Sequence, residues 1–251
     1  MLQSERVIKR ANLPDNSVSL VAVGIDYSDT IKALESLNVR VLRVNKNILL
    51  PDNYSDHPDL HICHYGQNVL FTNDKESAGE LSVNFSPVII REVPGNKYPN
   101  DVSTNAVRLG NYLICNKKTV SKDVLDKAYE DSLKIINVNQ GYTKCSICVV
   151  DENSIITDDE SIYKSVQNFS VDALLVEKNS IRLKGMNYGF IGGCTGKISK
   201  NKIAFNGRLD SHINKNEILD FLMKHNCEPV ELINDRLTDI GSIIPLMEYN
   251  D

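Results

Sequence analysis

The chain has 251 residues, of which 41% are apolar and 24% are charged, a composition typical of a globular protein. Its formal net charge of −5 argues against nucleic acid as the main partner, because phosphate backbones attract basic surfaces. No stretch approaches the roughly 20 apolar residues of a membrane span, and the segment 1–6 lacks the apolar core of a signal peptide. We therefore expect a cytoplasmic protein without a membrane or nucleic-acid partner.

One short pattern recurs along the chain: an Asn, a run of apolar residues, and a closing Asn or Asp. It begins at Asn68, Asn111, Asn153 and Asn201, with spacings of 43, 42 and 48 residues, and a looser copy begins at Asn16. Asn tolerates left-handed backbone and suits a hairpin turn, while the apolar run is typical of a buried strand. The pattern predicts a structural unit that is repeated about five times.

A helix is predicted after the apolar run in most copies, followed by a third strand. The predicted helices are Thr30–Leu37 capped by Ser28 or Asp29, Lys122–Leu133 capped by Ser121, Glu160–Asn168 capped by Asp158 or Asp159, and Lys215–Lys224 capped by Asn214. The second copy contains Gly79 and little periodicity, so no helix is expected there. The predicted third strands are Val39–Val44, Val88–Val93, Lys134–Val138, Ala173–Val176 and Pro229–Ile233.

These elements predict a β-turn-β-α-β unit and one domain over residues 1–251. The approximate unit boundaries are 1–50, 51–95, 96–140, 141–180 and 181–238. The first unit lacks its leading strand, while one more apolar strand, Ile240–Met247, follows the last unit. If this strand within residues 239–247 completes the first unit, the units close into a ring, as in propellers. The predicted fold class is therefore α/β.

Two stretches of the chain resemble a known family. Tyr98–Val102 followed by Gly110–Ile114 resembles the Gly-Gly-Asp-Val stretch and the next strand of arginine deiminases and amidinotransferases, and His57–His61 resembles their His-x-Asp region. Together with the five units, these stretches resemble the pentein superfamily, the α/β-propellers of guanidine-group-modifying enzymes. The resemblance implies a five-bladed, pseudo-fivefold propeller. We expect a bacterial branch without an assigned reaction, marked by Tyr-Pro-Asn-Asp-Val and Gly-Phe-Ile-Gly-Gly.

The resemblance also implies that site residues lie about seven to ten residues before each repeat Asn, near the central axis. Enzymes of this family use a cysteine thiolate as nucleophile, a histidine to move protons, and carboxylates to hold the cation. The catalytic residues predicted on this basis are Cys194, His61 and Asp59. The predicted substrate-binding residues are Asn100, Asp101, Lys144, Cys145, Asp239 and Ser242.

The nucleophile is where this sequence departs from the family. The enzymes keep their cysteine on the last strand, but here the segment 239–245 has none and Ser242 is the nearest nucleophile. Cys194 is the best alternative, because the glycines beside it allow close approach to a ligand. Cys145 follows a lysine that would lower a thiol pKa. For both cysteines the alternative interpretation is a packed structural thiol.

Several further residues are of types that can bind metals, undergo redox chemistry or transfer protons. Cys145 and Cys148 form a lone C-x-x-C in a predicted strand without further zinc ligands nearby, so neither a metal nor another cofactor is expected. Asp59 and His61 are expected to share one face of a strand, or else to lie in a surface loop. The histidines expected to face solvent are His57, His212 and His225.

We therefore predict a pentein-fold protein that binds a small guanidino or amino-acid-like ligand in an axial pocket. If it is an enzyme, it is a hydrolase or transferase of the amidinotransferase or deiminase type. The alternative is a non-catalytic pentein that serves as a binding scaffold, similar to the ribosome anti-association factors. The residues alone leave the oligomeric state open.

Overall fold

The computed structural model describes residues 4–250, apart from three side chains in the segment 76–80. Its strands are β1 (Glu5–Val7), β2 (Val18–Gly24), β3 (Arg40–Val44), β4 (Ile62–Gly66), β5 (Val69–Thr72), β6 (Ser86–Ile89), β7 (Val107–Leu109), β8 (Tyr112–Cys115), β9 (Lys134–Asn137), β10 (Ile147–Asp151), β11 (Ser154–Thr157), β12 (Asp172–Leu175), β13 (Thr195–Ser199), β14 (Lys202–Phe205), β15 (Glu228–Glu231) and β16 (Ile244–Tyr249). Its helices are α1 (Ser28–Ser36), α2 (Pro58–His61), α3 (Lys75–Leu81), α4 (Lys122–Glu130), α5 (Glu160–Val166) and α6 (Lys215–Lys224). No helix in this part of the chain is long and apolar enough to cross a membrane.

The strands form small sheets, four of which contain three strands that are consecutive in sequence: β4–β6, β7–β9, β10–β12 and β13–β15. In each of these sheets the first two strands form an antiparallel hairpin. The third strand then pairs in parallel with the second, after a helix that connects them. The mixed α/β chain is thus built from ββαβ units.

The remaining sheet joins the two ends of the described chain, with strand order β1-β16-β2-β3. Strand β16 pairs antiparallel with β2, and β2 pairs in parallel with β3. Strand β16 therefore supplies the leading strand that the first unit lacks. Strand β1 pairs with the other edge of β16.

The repeat Asn lies at each hairpin turn and starts the parallel pairing that follows. The carbonyls of all four repeat Asn residues accept a hydrogen bond from the first residue of the third strand, at 2.7 to 3.0 Å: Asn68 from Ser86, Asn111 from Lys134, Asn153 from Asp172 and Asn201 from Glu228. Among these residues only Asn68 has the left-handed backbone that the sequence predicts for them, with φ of +62°. The repeat Asn residues therefore share their position in the turn and the hydrogen bond of their carbonyl, but not their backbone conformation.

The second strand of each unit is buried on both faces, so adjacent residues point into different apolar clusters. These pairs are Val21 and Ala22, Leu70 and Phe71, Leu113 and Ile114, Ile155 and Ile156, and Ile203 and Ala204. Each cluster contains residues from two sheets; Ala204 of the last ββαβ unit, for example, shares a cluster with Val21 of the first. Since burying one large apolar side chain stabilises a fold by about 1.5–3 kcal/mol, these clusters are the main stabilising contacts between the sheets.

Helix boundaries differ from the predictions where local signals were weak. Helix α3 forms in the second unit although no helix was expected; Gly79 lies on its exposed side, where it lowers helix propensity by about 1 kcal/mol without creating a clash. The following strand β6 begins at Ser86 instead of Val88. Helix α4 ends early because Ser132 adopts a φ of +56°, which a continuing helix does not allow.

The predicted helix caps are confirmed at two positions and wrong at two others. Ser121 accepts a hydrogen bond from the Asp123 amide, and Asp159 accepts hydrogen bonds from the first-turn amides of α5. Helix α1 instead begins at Ser28, without a side-chain cap. The Asn214 side chain accepts a hydrogen bond from the amide of residue 177 and does not cap α6.

Candidate functional site

The predicted site positions lie on short turns that precede the first strand of each sheet. Helix α2 precedes β4, a turn including Lys144 and Cys145 precedes β10, and the segment 239–242 precedes β16. The closing Asn or Asp of each repeat holds these loops in place. Asn73, Asn116 and Asn206 donate side-chain hydrogen bonds to the carbonyls of Leu60, Asn139 and Thr238, and Asp158 accepts one from the Ile191 amide.

Asp59 is the centre of a buried polar cluster. Its Oδ2 accepts hydrogen bonds from Cys145 Sγ at 3.0 Å and from Ser242 Oγ at 2.8 Å. Lys144 Nζ donates to Ser242 Oγ at 3.0 Å. The other oxygen, Asp59 Oδ1, is buried without a hydrogen-bond partner in the described part of the chain. The fold thus brings together four of the predicted residues from three separate loops.

Asn105 connects the loops of this cluster. Its Oδ1 accepts hydrogen bonds from the amides of Lys144 at 2.5 Å and Cys145 at 3.3 Å. Its Nδ2 donates to the Asp59 carbonyl at 3.2 Å and to Cys145 Sγ at 3.3 Å. The sequence analysis missed this residue, although Asn105 lies six residues before the repeat Asn111, close to the range in which site residues were expected.

Burial determines the protonation states in this cluster. It raises the pKa of Asp59, against the opposing charge of Lys144 and the hydrogen bonds that the carboxylate accepts. It raises the pKa of Cys145 well above the usual thiol range, and the charge of Asp59 adds to this effect. It lowers the pKa of Lys144, which the Asp59 charge opposes. Cys145 is therefore a neutral thiol at neutral pH, with a carboxylate 3.0 Å away that can accept its proton.

A cavity of about 330 Å³ adjoins this cluster at Cys145. His57 and Asp239 also line it, together with the amides Gln140 and Asn187. The other lining residues are aromatic or apolar: Tyr54, Leu60, Tyr142, Leu183, Met186, Tyr188 and Phe190. An apolar cavity of this size with a few polar groups is typical of a small-molecule site. A larger groove of about 1060 Å³ elsewhere on the molecule, lined by Arg10, Lys197 and His225 among others, contains none of the predicted site residues.

Asp239 and His57 form the polar side of the cavity. Asp239 accepts hydrogen bonds from the amides of Gly241 and Phe190, both at 2.9 Å. His57 Nδ1 lies 3.8 Å from Asp239 Oδ1, and its Nε2 lies 2.9 Å from the Tyr27 hydroxyl. Burial raises the pKa of Asp239 to about 7, with the charge of Asp59 adding to the shift. Burial lowers the pKa of His57 to about 3, so this imidazole is neutral at physiological pH.

Asp101 positions an aromatic wall of the cavity. Its Oδ2 accepts a hydrogen bond of 2.5 Å from the hydroxyl of Tyr142, whose ring stacks on Phe190 at a centroid distance of 6.0 Å. Asp101 is buried, and burial raises its pKa. The neighbouring Asn100 is exposed and does not line the cavity. The two residues predicted to bind substrate together therefore face different environments.

The expectation that Asp59 and His61 share one face of a strand is wrong. Both lie in the short helix α2, where residues two apart point to opposite sides. His61 Nε2 bonds to the Ser55 carbonyl at 2.7 Å, and burial lowers the pKa of the imidazole. The structure thus gives His61 no hydrogen bond to Asp59 within the described residues.

Cys194 lies in an apolar cluster and does not line the cavity. Its thiol is fully buried with Ile203 and Phe205, and it donates to the Ile191 carbonyl at 3.3 Å. The adjacent Gly193 was predicted to allow close approach of a ligand, but in the structure it contacts Asp239. A Cβ on Gly193 would lie 2.0 Å from Asp239 Oδ1. The glycine therefore makes room for the Asp239 carboxylate. The nucleophilic role of Cys194 stays a prediction.

The expected solvent exposure of three histidines is wrong. His57 and His212 are buried, and His225 is partly buried between Asp151 and Asp172, with a 2.8 Å contact to each carboxylate. All six cysteines are free thiols. Among the side chains that the structure describes, no group of three or more His, Cys, Asp or Glu is arranged to hold a metal ion.

Comparison with known proteins identifies the family. Residues 23–244 match the model of the "Family of unknown function (DUF6873)". The chain belongs to this family. No curated protein matches its sequence.

Solved structures similar to this member of the DUF6873 family include two guanidino-modifying enzymes. Inosamine-phosphate amidinotransferase StrB1 from Streptomyces griseus aligns with a TM-score of 0.56 and 11% identity, over 96% of this chain and 97% of that chain. The agmatine deiminase of C. jejuni aligns with a TM-score of 0.52 and 10% identity, over 92% of each chain. Both are members of the pentein superfamily, so the resemblance predicted from the sequence is confirmed at the level of the fold.

Proposed function

We propose that this protein binds a small cationic ligand of the guanidino or amino-acid type in the cavity beside His57, Cys145 and Asp239. The observation that carries the proposal is the buried Asp239 carboxyl group in a cavity lined mainly by aromatic and apolar side chains. Its pKa of about 7 means that a bound cation would stabilise its charged form. Tyr142 and Phe190 line the same cavity, and aromatic rings attract a nearby cation.

We propose further that the five units form a closed ring in one domain, a five-bladed propeller with this cavity near its axis. Two features support the ring. Each apolar cluster contains residues from two sheets, including the first and the last. The site residues come from loops that precede the first strands of different sheets. The similarity to pentein structures supports the same arrangement.

If the ligand is also converted, we propose Cys145 as the nucleophile and Asp59 as its base. Cys145 lines the cavity, whereas Cys194 does not. In this reaction the Cys145 proton moves to Asp59 Oδ2, and the sulfur forms a bond to the guanidino carbon. The leaving amine departs with that proton, and water or an acceptor amine then releases the carbon group from sulfur. This describes a hydrolase or transferase of the deiminase or amidinotransferase type.

The binding proposal is tested by isothermal titration calorimetry with agmatine and arginine, and with citrulline as a neutral analogue of arginine. We expect the cations to bind and citrulline to bind at least tenfold more weakly, because a charge-assisted hydrogen bond contributes about 1.5–3 kcal/mol. Asp239→Asn should weaken binding of the cations by a similar factor. Asp235→Asn is the matched control, since this exposed carboxylate lies outside the cavity.

Two results would contradict the proposal. Equal affinity for arginine and citrulline would show that charge is not recognised. Binding of neither agmatine nor arginine would leave the non-catalytic binding scaffold as the remaining prediction.

A further inference from the structure

Lys144 is a buried lysine whose ammonium group lies inside the polar cluster beside the cavity. Its side chain is almost fully buried, and its Nζ donates to Ser242 Oγ at 3.0 Å. Ser242 in turn donates to Asp59 Oδ2 at 2.8 Å. Neither Lys144 nor Ser242 lines the cavity, whereas the adjacent Cys145 does. Cys145 therefore lies between the cavity and three packed side chains, those of Lys144, Ser242 and Asp59. We call the space that these side chains fill the inner chamber.

The charge of Lys144 is what makes a buried Asp59 carboxylate tolerable. A carboxylate without solvent exposure is strongly destabilising unless a cation compensates it. The other titratable groups around Asp59 offer no positive charge at neutral pH, because burial keeps His57 and His61 neutral and Cys145 is a thiol. Lys144 therefore supplies the positive charge that compensates the Asp59 carboxylate in this chamber.

A second buried lysine, Lys197, has different surroundings from those of Lys144. Lys197 Nζ donates to the Val150 carbonyl at 2.5 Å and contacts Cys227 Sγ at 3.5 Å. Within the described residues it has no hydrogen bond or ion pair with a carboxylate. Lys144 also has no direct ion pair among the described residues, but it reaches the Asp59 carboxylate through Ser242 Oγ, whereas the partners of Lys197 are a carbonyl and a thiol. Lys197 is thus a natural control for a buried lysine that has no carboxylate one hydroxyl away.

We propose that Lys144 is the resident cation of the inner chamber, where Asp59 and Ser242 form a cation-binding site, and that it excludes ligand ammonium and guanidinium groups from this chamber. Removing its side chain opens a site for one small alkylammonium or guanidinium ion. A corollary, which rests on the proposed function, is that a natural ligand places its cationic group at Asp239 and not at Asp59. Lys144 would then determine how deeply ligands enter.

The proposal is tested by chemical rescue of Lys144→Ala, with the melting temperature as readout. The n-propylammonium ion replaces the atoms that the substitution removes, from Cγ to Nζ. We expect it to raise the melting temperature of the variant saturably, by about 3–6 °C at a tenfold excess over its dissociation constant. Guanidinium at low concentration should act similarly. The wild-type protein and Lys197→Ala should not respond beyond the effect of equal sodium chloride.

Lys144→Met provides a second arm, because its side chain fills the chamber without a charge and should therefore prevent rescue. If the single variants do not fold, the double variant Asp59→Asn/Lys144→Met still tests the charge pairing, since removing both charges should restore folding. Equal rescue of Lys144→Ala and Lys197→Ala, no rescue of Lys144→Ala, or a double variant less stable than either single variant would each overturn the proposal. Stability is measured without a cavity ligand, so failure of the proposed function leaves this test intact.

Discussion

Asp59, Lys144, Cys145 and Ser242 show how burial changes the chemistry of single residues in this protein. In water each would have its ordinary pKa, but in the cluster the thiol is held neutral and the two charges depend on each other. The family resemblance predicted all four: Asp59, Lys144 and Cys145 from their distance to the repeat Asn residues, and Ser242 from its place in the segment 239–245, where the enzymes keep their cysteine. Their mutual hydrogen bonds could not be predicted, because Asp59 is separated from Cys145 by 86 residues and from Ser242 by 183 residues.

The raised pKa of Cys145 predicts slow alkylation by iodoacetamide at neutral pH. Because only the thiolate reacts, the rate should rise about tenfold per pH unit from pH 7 to pH 9. Mass spectrometry of the alkylated protein should identify Cys145 as the first thiol modified, and a cavity ligand should protect it. Cys148→Ser is the matched control, since Cys148 packs in an apolar cluster. Unchanged overall kinetics in Cys145→Ser would contradict the assignment.

Asp158 predicts a pH dependence of stability. Burial raises its pKa to about 8 in the folded protein, compared with about 3.9 in the unfolded chain. Between these values the folded state retains a proton that the unfolded state has released, so the free energy of unfolding falls as pH rises. The buried histidines have lowered pKa values and release protons from the unfolded chain near pH 6.5, which opposes this slope, but they are common to the wild-type protein and to Asp158→Asn, so the difference between the two proteins isolates Asp158.

Urea unfolding between pH 6.5 and pH 8 measures this effect. Asp158→Asn should lose less stability across this interval than the wild-type protein, because it carries no titrating carboxyl. Asp123→Asn is the control, since the Arg91 contact lowers the pKa of Asp123 and its titration lies far below the interval. Parallel curves for the wild-type protein and Asp158→Asn would contradict the raised pKa.

The loops that precede the first strands are the elements that build the site. They are positioned by backbone contacts as well as by the closing Asn or Asp of each repeat; the Gly193 carbonyl, for example, accepts hydrogen bonds from the amides of Ile240 at 3.0 Å and Ser242 at 2.8 Å. Ser242 has a left-handed backbone with φ of +75°, which is uncommon for a residue with a side chain. The repeat pattern together with the family resemblance located these loops, but their conformations depend on contacts with other units.

Substituting glycine by alanine should have opposite effects on stability in a crowded loop and at an exposed helix position. Gly193→Ala should strongly destabilise the protein, because the new Cβ would lie 2.0 Å from Asp239 Oδ1. Gly79→Ala should stabilise it by about 0.5–1 kcal/mol, since nothing lies within 4 Å of a Cβ in helix α3. Urea unfolding measures both changes. Similar stabilities of the two variants would contradict the close packing of Asp239 on Gly193.

At the scale of the whole molecule, the two ends of the described chain meet in one sheet. The Asn250 amide donates to the Ser4 carbonyl at 2.9 Å, and Glu5 pairs with Tyr249 between β1 and β16. The first unit is therefore completed by the far end of the chain. This contact closes a loop of almost the whole described chain, and the entropic cost of closing a loop grows only slowly with its length.

This arrangement predicts that a circular permutant will fold. A short Gly/Ser linker between the ends, with a new opening in the exposed turn between Lys200 and Asn201, should give a melting temperature close to that of the native protein. A control opened between the buried residues Ile155 and Ile156 should be strongly destabilised. Circular dichroism on heating distinguishes the two. Equal loss of structure in both permutants would contradict the prediction.

The sequence by itself determined the repeated ββαβ unit, most strand and helix positions, and the loops from which the site residues come. These features depend on local hydrophobic patterns and turn residues, which each segment carries independently of the others. Only the tertiary structure decided that Cys145 and not Cys194 lines the cavity, that His61 turns away from Asp59, and that Lys144 reaches Ser242. The physical reason is that these contacts join residues from different units, whose relative orientation is set by packing between the sheets.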